Sequence, residues 1–412
     1  MTDLTLLQQI TDYSNRHDPY PLYARLREKP VHHDESGPYV IGGYHAVRAL
    51  LHDPRISSEA RYRAVPDTTA PGQEEGDAGG VLPPNFLRLD PPEHDRLRAI
   101  TNRPFGPPHS PHRIDGMHGE LETIVTDLID ALDGDEIDLV DRFSYPFPVT
   151  VICRLLGIPR EDESRFHGWA DTLVATLDPQ PGQDLTERNR IAQQARVELG
   201  LYLNALIEER RKAPGDDMLS QLATGQGPEG RLSGMEVLST AALLLIAGHE
   251  TTVNLITNGM LTLLRHPEAL ERLRADARVA VPLVEELLRY EPPVQMLPSR
   301  TPITDIEVAG VTIPKGASLW LMLAAGNRDP ERFADPDRFD PDRPDNQHLG
   351  LGSGIHSCFG APLARLEAQL ALAGLARRLE RPRLVEDPPP YRTNAVLRGP
   401  RHLRIAIDGV RR

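Results

Sequence analysis

The longest apolar stretch of the chain, Val237 to Leu264, is broken in its middle by His249, Glu250, Thr251, Thr252, Asn254 and Asn258. Polar groups at such depth are costly in lipid, so the stretch reads as a buried helix and not as a membrane span. Spacings of three and four between apolar residues predict further helices, each with one buried face: 116–132, 160–177, 186–212, 233–266, 268–276, 280–291 and 359–380. Pro30 to Tyr44, with Tyr39-Val40-Ile41 between Gly-Pro and Gly-Gly, predicts a short hairpin. Glu291 to His348, punctuated by Pro-Pro, Asp-Pro and Gly turns, predicts irregular structure with short strands, and a stretch of that length is often functional. The expected fold is therefore mainly α with a small β-rich region. No internal repeat or low-complexity linker divides residues 1–412, which read as one domain.

Composition narrows the function. Forty-six basic against sixty acidic residues leave a formal charge of -14, which argues against a non-specific grip on nucleic acid or anionic lipid. Two cysteines, Cys153 and Cys358, can build neither a disulfide framework nor a four-cysteine zinc site, and a reducing cytoplasm fits best. The N-terminus lacks the basic start and apolar centre of a signal peptide. Pro66 to Gly80 and Asp178 to Asp184, rich in Gly and Pro, are expected to be mobile surface loops. Gly225 to Gly230 satisfies G-x-G-x-x-G, yet it follows a helical segment and carries Glu229, so it reads as a turn ahead of the capping box Ser233 to Glu236.

Four constellations carry chemistry. In the first, Gly352-Ser-Gly-Ile-His356-Ser-Cys358-Phe-Gly360 ends on a Cys just ahead of a helix with Leu363, Leu366 and Leu370 on one face. The positive end of that helix favours thiolate. A lone Cys at this place also suits a buried thiol or a nucleophile. In the second, Ala247-Gly248-His249-Glu250-Thr251-Thr252 sets an acid and hydroxyls inside a greasy helix. A Thr251 hydroxyl bonded back to Ala247 is the bland account, and a local widening that admits water is the other. Glu286 and Arg289, three apart, read in isolation as a solvated pair. His94 and Arg98, at i and i+4 after Pro-Pro, read as a surface pair. Cys153, in an apolar run, reads as a core residue.

The run G-x-G-x-H-x-C-x-G-A-x-L-A-R-x-E from Gly352 to Glu367 closely resembles the haem-binding loop of bacterial cytochromes P450, and the other segments, from about His94 to Arg398, follow in that family's order. The resemblance implies the triangular helical prism of that family and a haem b ligated by Cys358, with Gly360 beside it. It implies His94, Arg98, Arg300 and His356 at the haem propionates, whose charges need cations when buried. Ala247, Gly248, Glu250 and Thr251 then lie on the oxygen-activating helix, Thr251 holding a water and Glu250 relaying protons to dioxygen. Glu286 and Arg289, joined by Arg343, hold the proximal side in shape. Leu351 stands where the family usually has Phe, which bears on redox tuning.

The activity so implied is insertion of one oxygen atom from O2 into an apolar small molecule, with electrons from a ferredoxin and its reductase and no fused flavin or iron–sulfur module. Polyketides, terpenoids, steroids and modified peptides are the expected substrates. Contacts to them are expected from the loops at 66–82 and 178–184, from Leu243 and Ala247, from Val294, Gln295 and Met296, and from Asn394, Ala395 and Val396. A peroxide-using oxidase and a haem sensor or carrier without turnover are the rival readings; the Glu250-Thr251 pair argues against both.

Overall fold

Ser233 and Glu236 start the long helix reciprocally, the Ser233 N–H donating to Glu236 Oε2 at 2.7 Å and the Glu236 N–H to Ser233 Oγ at 3.3 Å. That helix, Gly234–Arg265, is continuous α-helix through Ala247 to Thr252, so the expected local widening is not present. In the computed structural model residues 4–412 are described, apart from 34–36, 65–83, 107–108, 111 and 178–184. The two loops expected at 66–82 and 178–184 lie outside the described residues.

By its contacts the chain divides into two compact units, Met1–Pro71 with Val125–Ser144 and Thr251–Arg412, and Gly72–Ile124 with Tyr145–Glu250. The long helix passes from the second to the first between Glu250 and Thr251.

The first unit holds every named strand among the described residues. Its main sheet runs in the order Val31–His33, Tyr39–Ile41, Leu319–Leu321, Leu297–Pro302, Ile56–Ser57. The expected hairpin is its edge, pairing Val31 with Ile41 and His33 with Tyr39. A three-stranded sheet joins Arg383–Leu384, Arg404–Ala406 and Glu136–Asp138. Helices of this unit approach one another closely at Gly259, where a Cβ would stand 2.9 Å from Leu287 Cδ1 and 3.0 Å from Leu372 Cδ1. The long helix therefore lies almost backbone-to-side-chain on Ala280–Tyr290 and Ala361–Arg378.

The helix Ala361–Arg378 departs from expectation. Leu366 and Leu370 are only partly buried, while Ala371 to Ala376 are buried without a break, so no single face is presented. A run of Ala and Gly lets neighbours approach from all sides, and its spacing carries no amphipathic signal. Glu286 and Arg289 also depart from the isolated reading, since neither side chain is exposed at all.

The second unit is helical. Glu163–Leu177 packs on Leu185–Lys212, and Trp169 Nε1 donates to Glu198 Oε2 at 3.0 Å across that pair. Pro146–Leu156 was not separable from the sequence, because eight of its residues, among them Phe147, Val151 and Cys153, are buried and leave no period to read. Gly227 and Gly230 exchange backbone hydrogen bonds at 3.0 and 2.9 Å after the helix Met218–Thr224, which makes the G-x-G-x-x-G match a turn, as expected. Among the described residues no helix is long and apolar enough to cross a membrane.

Candidate active site

Two glycines bend the loop ahead of Ala361. Gly352 and Gly354 take φ values of +68° and +71°. At Gly354 a Cβ would stand 2.2 Å from the Leu51 carbonyl oxygen, so the loop lies directly on the end of the helix Tyr44–His52. His52 Nε2 holds it there, 2.7 Å from Ser353 Oγ. The Cys358 N–H donates to the Leu351 carbonyl at 2.8 Å, closing the loop, and Gly360 caps the helix Ala361–Arg378 that follows. Cys358 is exposed, unlike Cys153, which is buried and whose thiol burial pushes up to about 12. Exposure is unusual for cysteine, one of the most buried residue types.

His356 stands beside the sheet, its Nε2 3.0 Å from Ser58 Oγ. Ser58 directly follows Ser57, which pairs with Thr301 next to Arg300 in the neighbouring strand.

The Glu286–Arg289 pair is buried, in contrast to the solvated pair that the spacing alone suggests. Arg289 forks Glu286 through Nε and Nη2, and gives further hydrogen bonds to the carbonyls of Asn327, Pro336 and Arg338. Arg343 Nε reaches Glu286 Oε2 at 3.4 Å and its Nη1 caps the Ala334 carbonyl at 2.7 Å. Three residues that sequence reasoning did not single out complete the arrangement. Asn327 binds the Leu288 carbonyl and takes the Leu349 N–H at 2.6 Å, Asn346 reaches Glu286, and Glu285 takes Arg365 and His348. Only the Glu-Glu pair in Val284 to Leu287 signalled Glu285, since neighbours on a helix point to different partners.

In the second unit, His94 is 1% exposed and its Nδ1 lies 2.7 Å from Asp95 Oδ1, so it is not the surface residue of the bland account. Arg98, partly buried one turn on, sets its guanidinium carbon 5.9 Å from the Phe86 ring centre. On the long helix His249 and Glu250 are buried, His249 bonding back to the Leu245 carbonyl and meeting Tyr145 edge-on. Ile246 and Ala247 are exposed, and Leu243, Gly248 and Thr251 are partly so, an opening in a helix otherwise hidden. Gly248 is not required by the protein's packing: a Cβ there meets Ile152 Cδ1 at 3.5 Å, an ordinary contact.

Of the expected substrate residues, four are spent within the fold. Gln295 is fully buried, accepting from Tyr23 Oη at 2.9 Å and donating to the Pro292 carbonyl at 2.6 Å. Met296 and Ala395 belong to the core beside Tyr23 and Trp320. Asn394 Oδ1 takes the N–H groups of Val396 and Leu397, a local turn. Val294 and Val396 remain partly buried.

A cytochrome P450 family model matches residues 39–407. The chain belongs to the cytochrome P450 family. It is 40% identical to the cytochrome P450 monooxygenase PikC of Streptomyces venezuelae over 94% of its own length and 91% of that protein. It is 35% identical to the 6-deoxyerythronolide B hydroxylase of Saccharopolyspora erythraea, covering 98% of this chain and all of that one. The solved structure of PksS, a Bacillus subtilis bacillaene polyketide synthase cytochrome P450, is 33% identical with a TM-score of 0.86, over 97% of this chain and 99% of that one.

Family membership implies a haem iron, and the donors of this P450 fit one. Among the described residues, the one group of three His, Cys, Asp or Glu ligand atoms close enough to share an ion is Asp138, Asp141 and His402, which excludes Cys358. Cys358, an exposed soft donor at a helix start, lies outside that group and fits the thiolate that would hold a haem iron.

Proposed function

We propose that Cys358 is the thiolate ligand of a haem b, and that this P450 hydroxylates or otherwise oxygenates an apolar secondary metabolite of polyketide or steroid kind, fed by a ferredoxin and its reductase in the cytoplasm. The observation that carries the ligand assignment is the exposed Cys358, its N–H held by the Leu351 carbonyl, just ahead of the helix Ala361–Arg378. The substrate class rests on the relatives, which include a 6-deoxyerythronolide B hydroxylase and a bacillaene polyketide synthase P450.

Bound haem supplies the reduction of O2 and the transfer of one oxygen atom to the substrate. The protein's part is to bind, orient and protonate. The N-terminal end of Ala361–Arg378 keeps the Cys358 sulfur as thiolate, where it donates electron density. Arg300, His356, His94 and Arg98 are the cations assigned to neutralise the propionates. Thr251 Oγ1 holds a water in place and the Glu250 carboxyl passes protons to it. The exposed Ala247 and partly exposed Gly248 leave one side of the long helix open to a flat group, and Leu243 beside them is an apolar contact for substrate.

The reduced, carbon monoxide-bound protein tests the ligand assignment. The strongly red-shifted Soret band of thiolate ligation is expected, and a spectrum of the His-ligated kind overturns it. A panel of macrolide precursors and steroids, turned over with ferredoxin, reductase and NADPH, tests the substrate class. Turnover restricted to small hydrophilic compounds refutes that class.

A further inference from the structure

Three segments of the chain meet on one carboxylate. Glu285, in the helix Ala280–Tyr290, accepts from Arg365 Nε at 2.6 Å on Oε1 and from Arg365 Nη2 at 2.9 Å on Oε2. His348 Nε2 stands 3.2 Å from the same Oε2. The Gly350 N–H points at His348 Nδ1 at 3.1 Å, which makes Nδ1 the acceptor and leaves Nε2 to carry the proton toward Glu285. One residue on, the Leu351 carbonyl takes the N–H of Cys358. Arg365 follows Cys358 by seven residues, in the second turn of Ala361–Arg378. The contacts close a ring: from Cys358 to Leu351, back along the chain to His348, across to Glu285, across to Arg365, and along the helix to Cys358 again.

Stability alone is a weak account of this ring. The Glu285 and Arg365 side chains are 28% and 36% exposed, and an ion pair so placed contributes at most about 1 kcal/mol. Its charges bear on something else. Burial pushes the Glu285 carboxyl upward, but the hydrogen bonds from Arg365 and His348 outweigh burial and hold it at about 2, so it stays ionised throughout the working range. Arg365 is held in its charged form first by Glu285 and, in smaller part, by the Cys358 sulfur, whose charge reaches it. Hydrogen bonding and net charge around a ligating sulfur are what set a haem potential.

We propose that Glu285 is a positioning residue for the proximal thiolate, fixing the Arg365 cation and the His348 entry to the loop so that the pair sets the field at Cys358 and with it the reduction potential of the haem. This rests on Cys358 being the iron ligand. In Glu285→Gln the Arg365 charge is uncompensated, which favours the reduced haem. In Arg365→Gln the Glu285 charge is uncompensated, which favours the oxidised haem. The two variants therefore shift the potential in opposite directions, and the double variant returns near the wild type.

Spectroelectrochemical titration of the holoenzyme, with the carbon monoxide band recorded on each sample, decides it. An upward shift for Glu285→Gln, a downward shift for Arg365→Gln and near-cancellation in the double variant support the proposal. Shifts of the same sign, as a merely loosened loop gives, overturn it, and so does no shift in either variant. Should a single variant fail to retain haem, Arg365→Lys keeps the charge without the fork. A potential close to wild type then supports a role through charge, and a downward shift of the kind expected for loss of the Arg365 charge overturns it. Failure of the underlying assignment is seen separately, as a missing thiolate band in the wild type itself.

Discussion

Arg289 meets Glu286 through two hydrogen bonds, Nε to Oε2 at 2.8 Å and Nη2 to Oε1 at 2.7 Å, with neither side chain exposed to solvent. A buried pair of this kind is stabilising mainly in the sense that breaking it strands a charge. Glu286→Gln leaves Arg289 and Arg343 facing a neutral amide, and the expected loss is about 3–5 kcal/mol. Arg343→Ala removes a partner at 3.4 Å, keeps the Arg289 fork intact and is expected to lose less. Urea unfolding checks both, and a loss below about 1 kcal/mol for Glu286→Gln removes the pair from the account of the proximal side.

Thr251, partly exposed beside the buried Glu250, is expected to control the coupling of electron use to product. Thr251→Ala removes the hydroxyl that holds the proton-carrying water, so NADPH oxidation continues while product falls and hydrogen peroxide accumulates. The check is the ratio of product to NADPH consumed, with peroxide measured in the same reaction. Unchanged coupling sinks the role.

The longer helices with one wet face were legible in the spacing, whereas the short Tyr20–Arg27 and Tyr44–His52, also wet on one face, were not singled out. The spans expected at 160–177, 186–212, 233–266, 268–276 and 280–291 correspond to Glu163–Leu177, Leu185–Lys212, Gly234–Arg265, Pro267–Ala275 and Ala280–Tyr290. Where an element is buried nearly all round, as in Pro146–Leu156, the period vanishes and the sequence says only that the segment is apolar, while in the second half of Ala361–Arg378 the helix expected from spacing is present but its single buried face is not. The site was legible where several side-chain types are needed in order, as from Gly352 to Glu367. It was not legible at Gln295 or Asn394, because a polar residue in a loop satisfies the backbone as readily as it satisfies a ligand, and only the bonds to Tyr23, Pro292 and Val396 separate the two. Arg365 lay inside the motif all along, but its partner Glu285 is 80 residues away in sequence.

The two cysteines are expected to differ sharply toward thiol reagents. Burial pushes Cys153 up to about 12, so at pH 8 almost none of it is thiolate, while Cys358 is exposed at a helix start. Haem-free protein treated with iodoacetamide should take up one label per chain, located on Cys358 by peptide mass spectrometry. Haem should protect it. Labelling of Cys153 at a comparable rate contradicts the burial argument.

Glu285 also makes a prediction about acid. Its usual pKa of 4.5 is lowered to about 2 in the folded protein. A lowered carboxyl stabilises the fold fully above its unfolded value and loses that contribution as pH falls through the folded one, so the window runs from about 4.5 down to about 2. Allowing for solvent screening of a partly exposed pair, about 1 kcal/mol is involved. Glu285→Gln should therefore be less stable than wild type at pH 6, with the gap narrowing steadily below pH 4.5. A gap independent of pH down to the acid limit of folding contradicts the assignment.

Gly354 and Gly248 separate a glycine needed by the protein from one needed by what the protein holds. At Gly354 an added methyl meets the Leu51 carbonyl at 2.2 Å on a backbone of φ +71°, so Gly354→Ala should cost about 2 kcal/mol or more, visible in urea unfolding. At Gly248 the methyl meets Ile152 at an ordinary 3.5 Å, and alanine is the better helix former by about 0.5–1 kcal/mol. Gly248→Ala should then unfold no earlier than wild type when stripped of haem. Its deficit should appear instead as weaker haem retention or weaker binding of ligands that perturb the Soret band. If stripped Gly248→Ala is destabilised as much as Gly354→Ala, the opening on the long helix is a packing feature and not a seat for a flat ligand.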